Sequence, residues 1–154
     1  AASDVYKRQL LGLRLDGFYG CPHHPEGRVA AYTGACDCRK PRPGLLLRAA
    51  RELGLDLARS WMVGDILDDV EAGHRAGCRS VLVDCGNETL WDTRGARRPA
   101  RRVPNLVLAA RAILAEHERQ KTVLADYDRR LASATPQTRG KIQIERANET
   151  FPWK

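Results

Sequence analysis

The sequence predicts an α/β fold, a Rossmann-like parallel sheet with helices on both faces, and three observations support it. Ser60–Val63 and Ser80–Asp84 are two short strand-like runs. Between them Ile66, Val70, Gly73 and Ala76 keep helical spacing, so strand, helix and strand follow in the order of a parallel crossover unit. The second run, Val81-Leu82-Val83, also shows no polar alternation, as expected of a strand covered on both sides. Ligands of such sheets gather at the carboxyl ends of the strands. Asp65 follows the first strand directly.

Ahead of the sheet, Cys21-Pro22-His23-His24-Pro25 and Cys36-Asp37-Cys38-Arg39-Lys40-Pro41 bring three thiols and an imidazole to metal-ligand spacing. Two ligands one residue apart can reach one ion across an extended or turned backbone, and four soft or borderline ligands in a tetrahedron describe structural zinc. Cys21 with His23, and Cys36 with Cys38, form the expected zinc-binding loop. The twelve residues between the pairs contain Pro25, Gly27 and Gly34, which predicts a loop ordered by the metal. The alternatives are unrelated free thiols or a disulfide from Cys21 to Cys36 or Cys38. A disulfide leaves an odd thiol and gives His23 no role. His24 is expected at the surface or behind the ligands.

Pro43 suits a first helical position, Leu45, Leu46, Ala49, Ala50 and Leu53 share a stripe, and Gly54 offers a left-handed stop. Gly77 closes the next helix and Gly86 the second strand. Pro104 opens a further helix, with Leu106, Ala109, Ala110, Ile113 and Leu114 on one side, to about Glu118. This organisation predicts a partial domain over 10–118, with its zinc loop at 21–38, and a tail over 119–154 without an assigned role. In that tail, residues 132–136 read as a break and 141–145 alternate like a strand.

A chain of 154 residues with 43% hydrophobic content suits a domain of ordinary size. No run reaches the roughly 18 apolar residues of a membrane-spanning helix, and no signal-peptide pattern is seen. The five cysteines are better explained by a metal in a reducing, cytoplasmic compartment than by a disulfide framework, with Cys78 and Cys85 as small buried residues. Much of the formal charge of +7 sits in Arg94, Arg97, Arg98, Arg101 and Arg102. Broken by Gly95 and Pro99 and free of aromatics, this run reads as a solvated loop rather than a nucleic-acid patch. The expectation is a monomer with neither nucleic-acid nor membrane partners.

A second constellation is acidic. In Gly64-Asp65-Ile66-Leu67-Asp68-Asp69, Asp65 ends the strand and Asp69 lies four residues on, on the same helical face. Hard oxygen ligands at this place suit magnesium that also holds a phosphate. The alternative is Asp65 as a helix N-cap, with Asp68 and Asp69 favoured by the helix dipole. Lys40 could lead into the same crevice and neutralise charge during phosphoryl transfer; its own alternative is a solvated basic turn.

Residues 10–115, including Leu15-Asp16-Gly17-Phe18-Tyr19, both cysteine boxes and Met62-Val63-Gly64-Asp65, resemble the phosphatases of the haloacid dehalogenase superfamily. More narrowly they resemble its heptose-bisphosphate phosphatase and histidinol-phosphatase branch, and the twelve-residue spacer is more like the heptose enzymes. The resemblance implies the carboxy-terminal part of that family's fold and a sugar-phosphate substrate. The implied reaction removes the 7-phosphate from D-glycero-D-manno-heptose 1,7-bisphosphate, in lipopolysaccharide biosynthesis, through an aspartyl-phosphate. It further implies that Lys40 steadies the nucleophile and the phosphoryl oxygens, that Arg39 meets a substrate phosphate, and that Asp65 completes a magnesium site. Asp69 would be the second acidic position, acting through hydrogen bonds or water, and zinc on Cys21, His23, Cys36 and Cys38 would shape a substrate loop. The other readings are a histidinol-phosphatase and a non-catalytic zinc module using Arg94–Arg102 for a partner.

One departure is large. The family's Asp-x-Asp motif, with its nucleophile, and its strand ending in serine or threonine should precede Leu10, and neither is found there. Asp4 and Asp16 have no apolar strand before them and no aspartate two residues on. Asp4-Val5-Tyr6-Lys7-Arg8-Gln9 reads as a translated transposase adapter from shotgun sequencing. This predicts that residues 1–9 are a sequencing scar, that the nucleophile is missing, and that the chain as written is inactive.

Overall fold

Three parallel strands, β1 (Trp61–Gly64), β2 (Arg79–Val83) and β3 (Arg101–Val103), form one sheet in that spatial order. The computed structural model describes residues 15–150, so the expectation for residues 1–9 and the start of the expected domain lie outside them. The chain divides into two compact units between Asn105 and Leu106.

In the first unit, helix α1 (Gly44–Leu53) has Leu45, Leu46, Ala49 and Ala50 of the expected stripe half-buried, with Leu53 exposed, and ends on Gly54 at φ 65°. Pro43 stands at its N-cap, just ahead of the first turn. The crossover from β1 through α2 (Leu67–Ala76) to β2 follows the sequence pattern, with Val63 paired to Val81. Ser80, Val81, Leu82 and Val83 are all buried. Successive strand residues point to opposite faces, so both faces of β2 are covered. Leu67, Val70 and Leu82 form the centre of the core. The buried Ser80 hydroxyl is satisfied by donating to the Val70 carbonyl at 3.2 Å.

The arginine-rich segment is a correction to the sequence reading. Arg101–Val103 is strand β3, with Val83 paired to Val103, and three residues with one apolar side chain leave no alternation to detect. Nor is the preceding turn wholly solvated, because Arg97 is drawn in. Arg97 pairs with Asp68 and, at 3.3 Å, with Glu71, while Arg94 holds Asp92 at 2.8 Å. Arg102 lies 4.0 Å over the Trp91 ring and 2.5 Å from Asp84. Arg97 and Arg102 are thus held by carboxylates distant in sequence, while Arg94, Arg98 and Arg101 remain exposed, as a solvated segment requires.

The second unit holds helices α3 (Leu106–Ala132) and α4 (Pro136–Thr150). Helix α3 continues well past Glu118 because no Gly or Pro interrupts it. Pairs such as Glu116 with Arg119, Glu118 with Lys121 and Asp126 with Arg129 support its exposed face. The break near residue 133 is present, but residues 141–145 are helical. The two isoleucines that suggested a strand sit on different helical faces: Ile142 is half-buried and Ile144 exposed. Pairing of Glu145 with Arg130 at 2.7 Å and of Arg146 with Asp128 at 3.1 Å fixes the helical register. No described helix is long and apolar enough to cross a membrane.

Candidate functional site

Cys21, His23, Cys36 and Cys38 converge. Their ligand atoms lie within 4.8 Å of one another, and among the described residues they form the group able to hold a metal. Cys38 Sγ is 2.9 Å from Cys21 Sγ, 3.2 Å from Cys36 Sγ and 3.3 Å from His23 Nδ1, and the Cys21 and Cys36 sulfurs are 3.6 Å apart. A disulfide needs about 2.05 Å. A zinc tetrahedron with bonds of about 2.3 Å has edges of about 3.8 Å, so the set resembles a closing tetrahedron rather than a cystine. Hydrogen bonding to Cys21, and next to Cys36, pushes the Cys38 thiol up to about 12, whereas the bond from Cys38 draws Cys36 down. Such crowded thiols ionise together only around a cation. The donor chemistry therefore fits zinc.

The loop between the ligand pairs has more order of its own than its prolines and glycines suggest. His24 and Thr33 bridge, and His24 N–H donates to the Tyr32 carbonyl at 2.9 Å. The Thr33 hydroxyl donates to the carbonyls of Gly27 at 2.7 Å and Val29 at 2.9 Å. His24 is exposed, and its Nδ1 accepts from the Glu26 N–H at 3.1 Å. Arg42 donates to the Cys36 carbonyl at 2.8 Å and Arg39 to the His23 carbonyl at 3.2 Å. At the far end, Gly44 N–H donates to the Asp37 carbonyl at 2.9 Å. A Cβ on Gly44 would lie 2.3 Å from that oxygen, so only glycine lets the loop close onto α1.

From this loop Lys40 reaches the carboxyl end of β1, where its Nζ pairs with Asp69 Oδ1. The other oxygen of Asp69 accepts from the N–H groups of Asp65 at 3.1 Å and Ile66 at 3.4 Å. Asp69 is 2% exposed. It sits so close over Gly64 that an added Cβ there would be 2.2 Å from its own Cβ, which is why glycine precedes Asp65. Asp65 is not the N-cap of α2; Ile66 is. Both oxygens of Asp69 are thus spent on Lys40 and on the turn, whereas Asp65 stands at the strand end as a half-buried carboxylate. Asp68 turns to Arg97 instead. Cys78 is buried as expected, but Cys85 is exposed, because it lies in the loop after β2 rather than within the strand.

Two residues of that loop were not singled out from sequence. Asn87 Nδ2 donates to Asp65 Oδ2 at 2.6 Å, and this bond is the main reason that the Asp65 carboxyl is held below its usual range. Glu88 Oε2 accepts from the Leu67 N–H at 2.6 Å, capping α2 from outside the helix. The signal was positional: polar side chains just past the end of a parallel strand belong to the same crevice as Asp65. Donation from Leu67 N–H, then from Leu90 N–H, lowers the folded value of Glu88. Its stabilising effect is therefore complete above the unfolded carboxylate value of about 4.3 and is lost as pH falls through the lower folded value. In urea titrations between neutral and acid pH, Glu88→Gln is expected to flatten part of the acid decline; an unchanged pH slope would refute the cap.

A family model described as HAD-hydrolase-like matches residues 37–110, a little under half of the chain, and over this segment the chain is similar to the haloacid dehalogenase-like hydrolases. It is 51% identical over 76 residues to the D-glycero-beta-D-manno-heptose-1,7-bisphosphate 7-phosphatase of Yersinia pestis, covering 49% of this chain and 40% of that one. It is 40% identical over 104 residues to the enzyme of the same name from Photorhabdus laumondii, covering 67% of this chain and 52% of the relative. The crystal structure of D,D-heptose 1,7-bisphosphate phosphatase from B. bronchiseptica, complexed with magnesium and phosphate, superposes with a TM-score of 0.54 at 32% identity, over 74% of this chain and 62% of that one. The chain spans about half the length of the curated relatives it matches.

Proposed function

We propose that this chain carries the zinc loop, the phosphate-neutralising lysine and the magnesium carboxylate of a phosphatase. The proposed substrate is D-glycero-D-manno-heptose 1,7-bisphosphate, hydrolysed at its 7-phosphate in the cytoplasm as a step toward lipopolysaccharide. The observation that carries this reading is Lys40, delivered by the Cys36–Pro41 segment onto Asp69 beside Asp65 at the end of β1. Magnesium bound there supplies charge neutralisation at the phosphoryl oxygens. Asp65 offers it a carboxylate, and Lys40 offers a second cation to the same oxygens. Asp69 holds Lys40 and the turn in place through hydrogen bonds. Zinc held by Cys21, His23, Cys36 and Cys38 would keep the loop that carries Lys40 and Arg39 against the site, where Arg39 would meet a substrate phosphate.

No Asp-x-Asp follows an apolar strand in this sequence, so the proposal requires the nucleophile to be supplied by such a strand. The test is phosphate release by the chain fused at its amino terminus to a strand ending in Asp-x-Asp-Gly, assayed on heptose bisphosphate and on histidinol phosphate. Release from the heptose substrate at least about tenfold faster is expected, with Lys40→Ala abolishing it. The reverse preference would favour histidinol-phosphatase. No release from either substrate, with zinc bound at one equivalent, would sink the enzyme reading.

A further inference from the structure

The loop after β2 does more than connect strands. Within five residues it makes three attachments to the rest of the first unit: Asp84 to Arg102, Asn87 to Asp65 and Glu88 to the first turn of α2. Glu88 also closes the loop on itself, its Oε1 accepting from the N–H groups of Thr89 at 2.8 Å and Leu90 at 2.7 Å. Arg102, stacked over Trp91 at 4.0 Å, ties the far side of the loop to the same Asp84. Asn87 is therefore an exposed residue on a loop braced at both ends.

Geometry makes its amide a director of Asp65. A carboxylate at the end of a strand has two rotatable bonds and, without a partner, many orientations. The Asn87 N–H takes one oxygen, Oδ2, at 2.6 Å. Asp69 meanwhile holds the Asp65 N–H at 3.1 Å and so sets the backbone beneath it. With backbone and one oxygen both fixed, Oδ1 is the oxygen presented to a ligand. Hydrogen bonding of a metal-binding carboxylate by a neighbouring amide is the outer-shell arrangement that orients ligands and tunes affinity.

We infer that Asn87 is a positioning residue for a divalent cation, holding Asp65 Oδ2 so that Oδ1 faces the metal. The inference rests on the reading of Asp65 as a magnesium ligand. It assigns the loop a function in cation binding and predicts that the Trp91–Arg102–Asp84 clamp contributes through Asn87.

The experiment uses the full 154-residue chain, first loaded with one equivalent of zinc to occupy the thiols, and Mn2+ as the probe, followed by electron paramagnetic resonance. Asn87→Ala is expected to weaken Mn2+ binding about tenfold, in the range that outer-shell losses produce, with zinc content and thermal midpoint unchanged. Asn87→Gln keeps the amide donor and is expected to return to within about threefold of the wild type. Wild-type affinity in Asn87→Ala, or Asn87→Gln binding as weakly as Asn87→Ala, overturns the inference while leaving Asp65 as a ligand. If Asp65→Asn itself binds Mn2+ as well as the wild type, the magnesium reading falls and this inference with it.

Discussion

Cys38→Ser is expected to reduce bound zinc from one equivalent towards none and to unfasten residues 21–38. Cys38 is the hub of the cluster, within 3.3 Å of each of the other three ligand atoms. Serine keeps the size of the side chain but not the soft thiolate that zinc requires. Structural zinc sites contribute roughly 10–16 kcal/mol of binding that is coupled to folding, so losing one ligand of four is expected to cost on the order of 3–4 kcal/mol of loop stability. The loss should be local, because the loop is otherwise held by hydrogen bonds, such as those at His24, Thr33, Arg39, Arg42 and Gly44, rather than by a core. Limited proteolysis should then cut between Cys21 and Cys38, while the far-ultraviolet signature of the helices persists. Cys36→Ser should behave alike, and Cys78→Ser, a buried thiol outside the cluster, should keep its zinc. Zinc retained at one equivalent in Cys38→Ser would refute the ligand set.

Asp69→Ala is expected to lower unfolding stability by about 3 kcal/mol, the size seen when one partner of a buried, hydrogen-bonded charge is removed. Three donors lose their acceptor at once: Lys40 Nζ and the N–H groups of Asp65 and Ile66. Lys40 is 48% exposed, so water recovers part of its loss, but the two backbone donors belong to the turn that presents Asp65. Asp69→Asn should cost less, since its carbonyl oxygen can still serve the backbone while the pairing with Lys40 is lost. Gly64→Ala tests the same knot from below, because its new Cβ would lie 2.2 Å from that of Asp69 and must displace the side chain. Urea titration distinguishes these outcomes. A cost below about 1 kcal/mol for Asp69→Ala would place it with ordinary surface ion pairs and refute the anchoring role.

The parts legible in the sequence are those governed by local or short-range rules. The Cys-x-His and Cys-x-Cys pairs place ligands one residue apart, so their convergence needs only one loop to close. The crossover from β1 to β2 follows from periodicity, and the bare Val81-Leu82-Val83 run foretold the buried strand. What failed did so for want of length or of partners. Strand β3 has three residues and two arginines, too few to show a period, and the isoleucines at 142 and 144 keep a strand's spacing over five residues while the helical register is set by pairing with Arg130 and Asp128. Arg97 and Arg102 looked solvated because Asp68, Glu71 and Asp84 lie far from them in sequence.

Roles within the acidic cluster show the same division. The sequence by itself determined that a carboxylate ends β1, that another follows four residues later, and that a cysteine-flanked lysine is available nearby, because residue type and helical spacing require nothing more. Tertiary structure decided which carboxylate does what. Asp69 is buried under Gly64 and spends both oxygens on Lys40 and the turn, whereas Asp65 stays at the strand end under the Asn87 amide. That choice depends on where the loop after β2 returns, twenty-two residues downstream of Asp65. A hydrogen bond across that separation is set by the parallel pairing of β1 with β2, which no local pattern encodes.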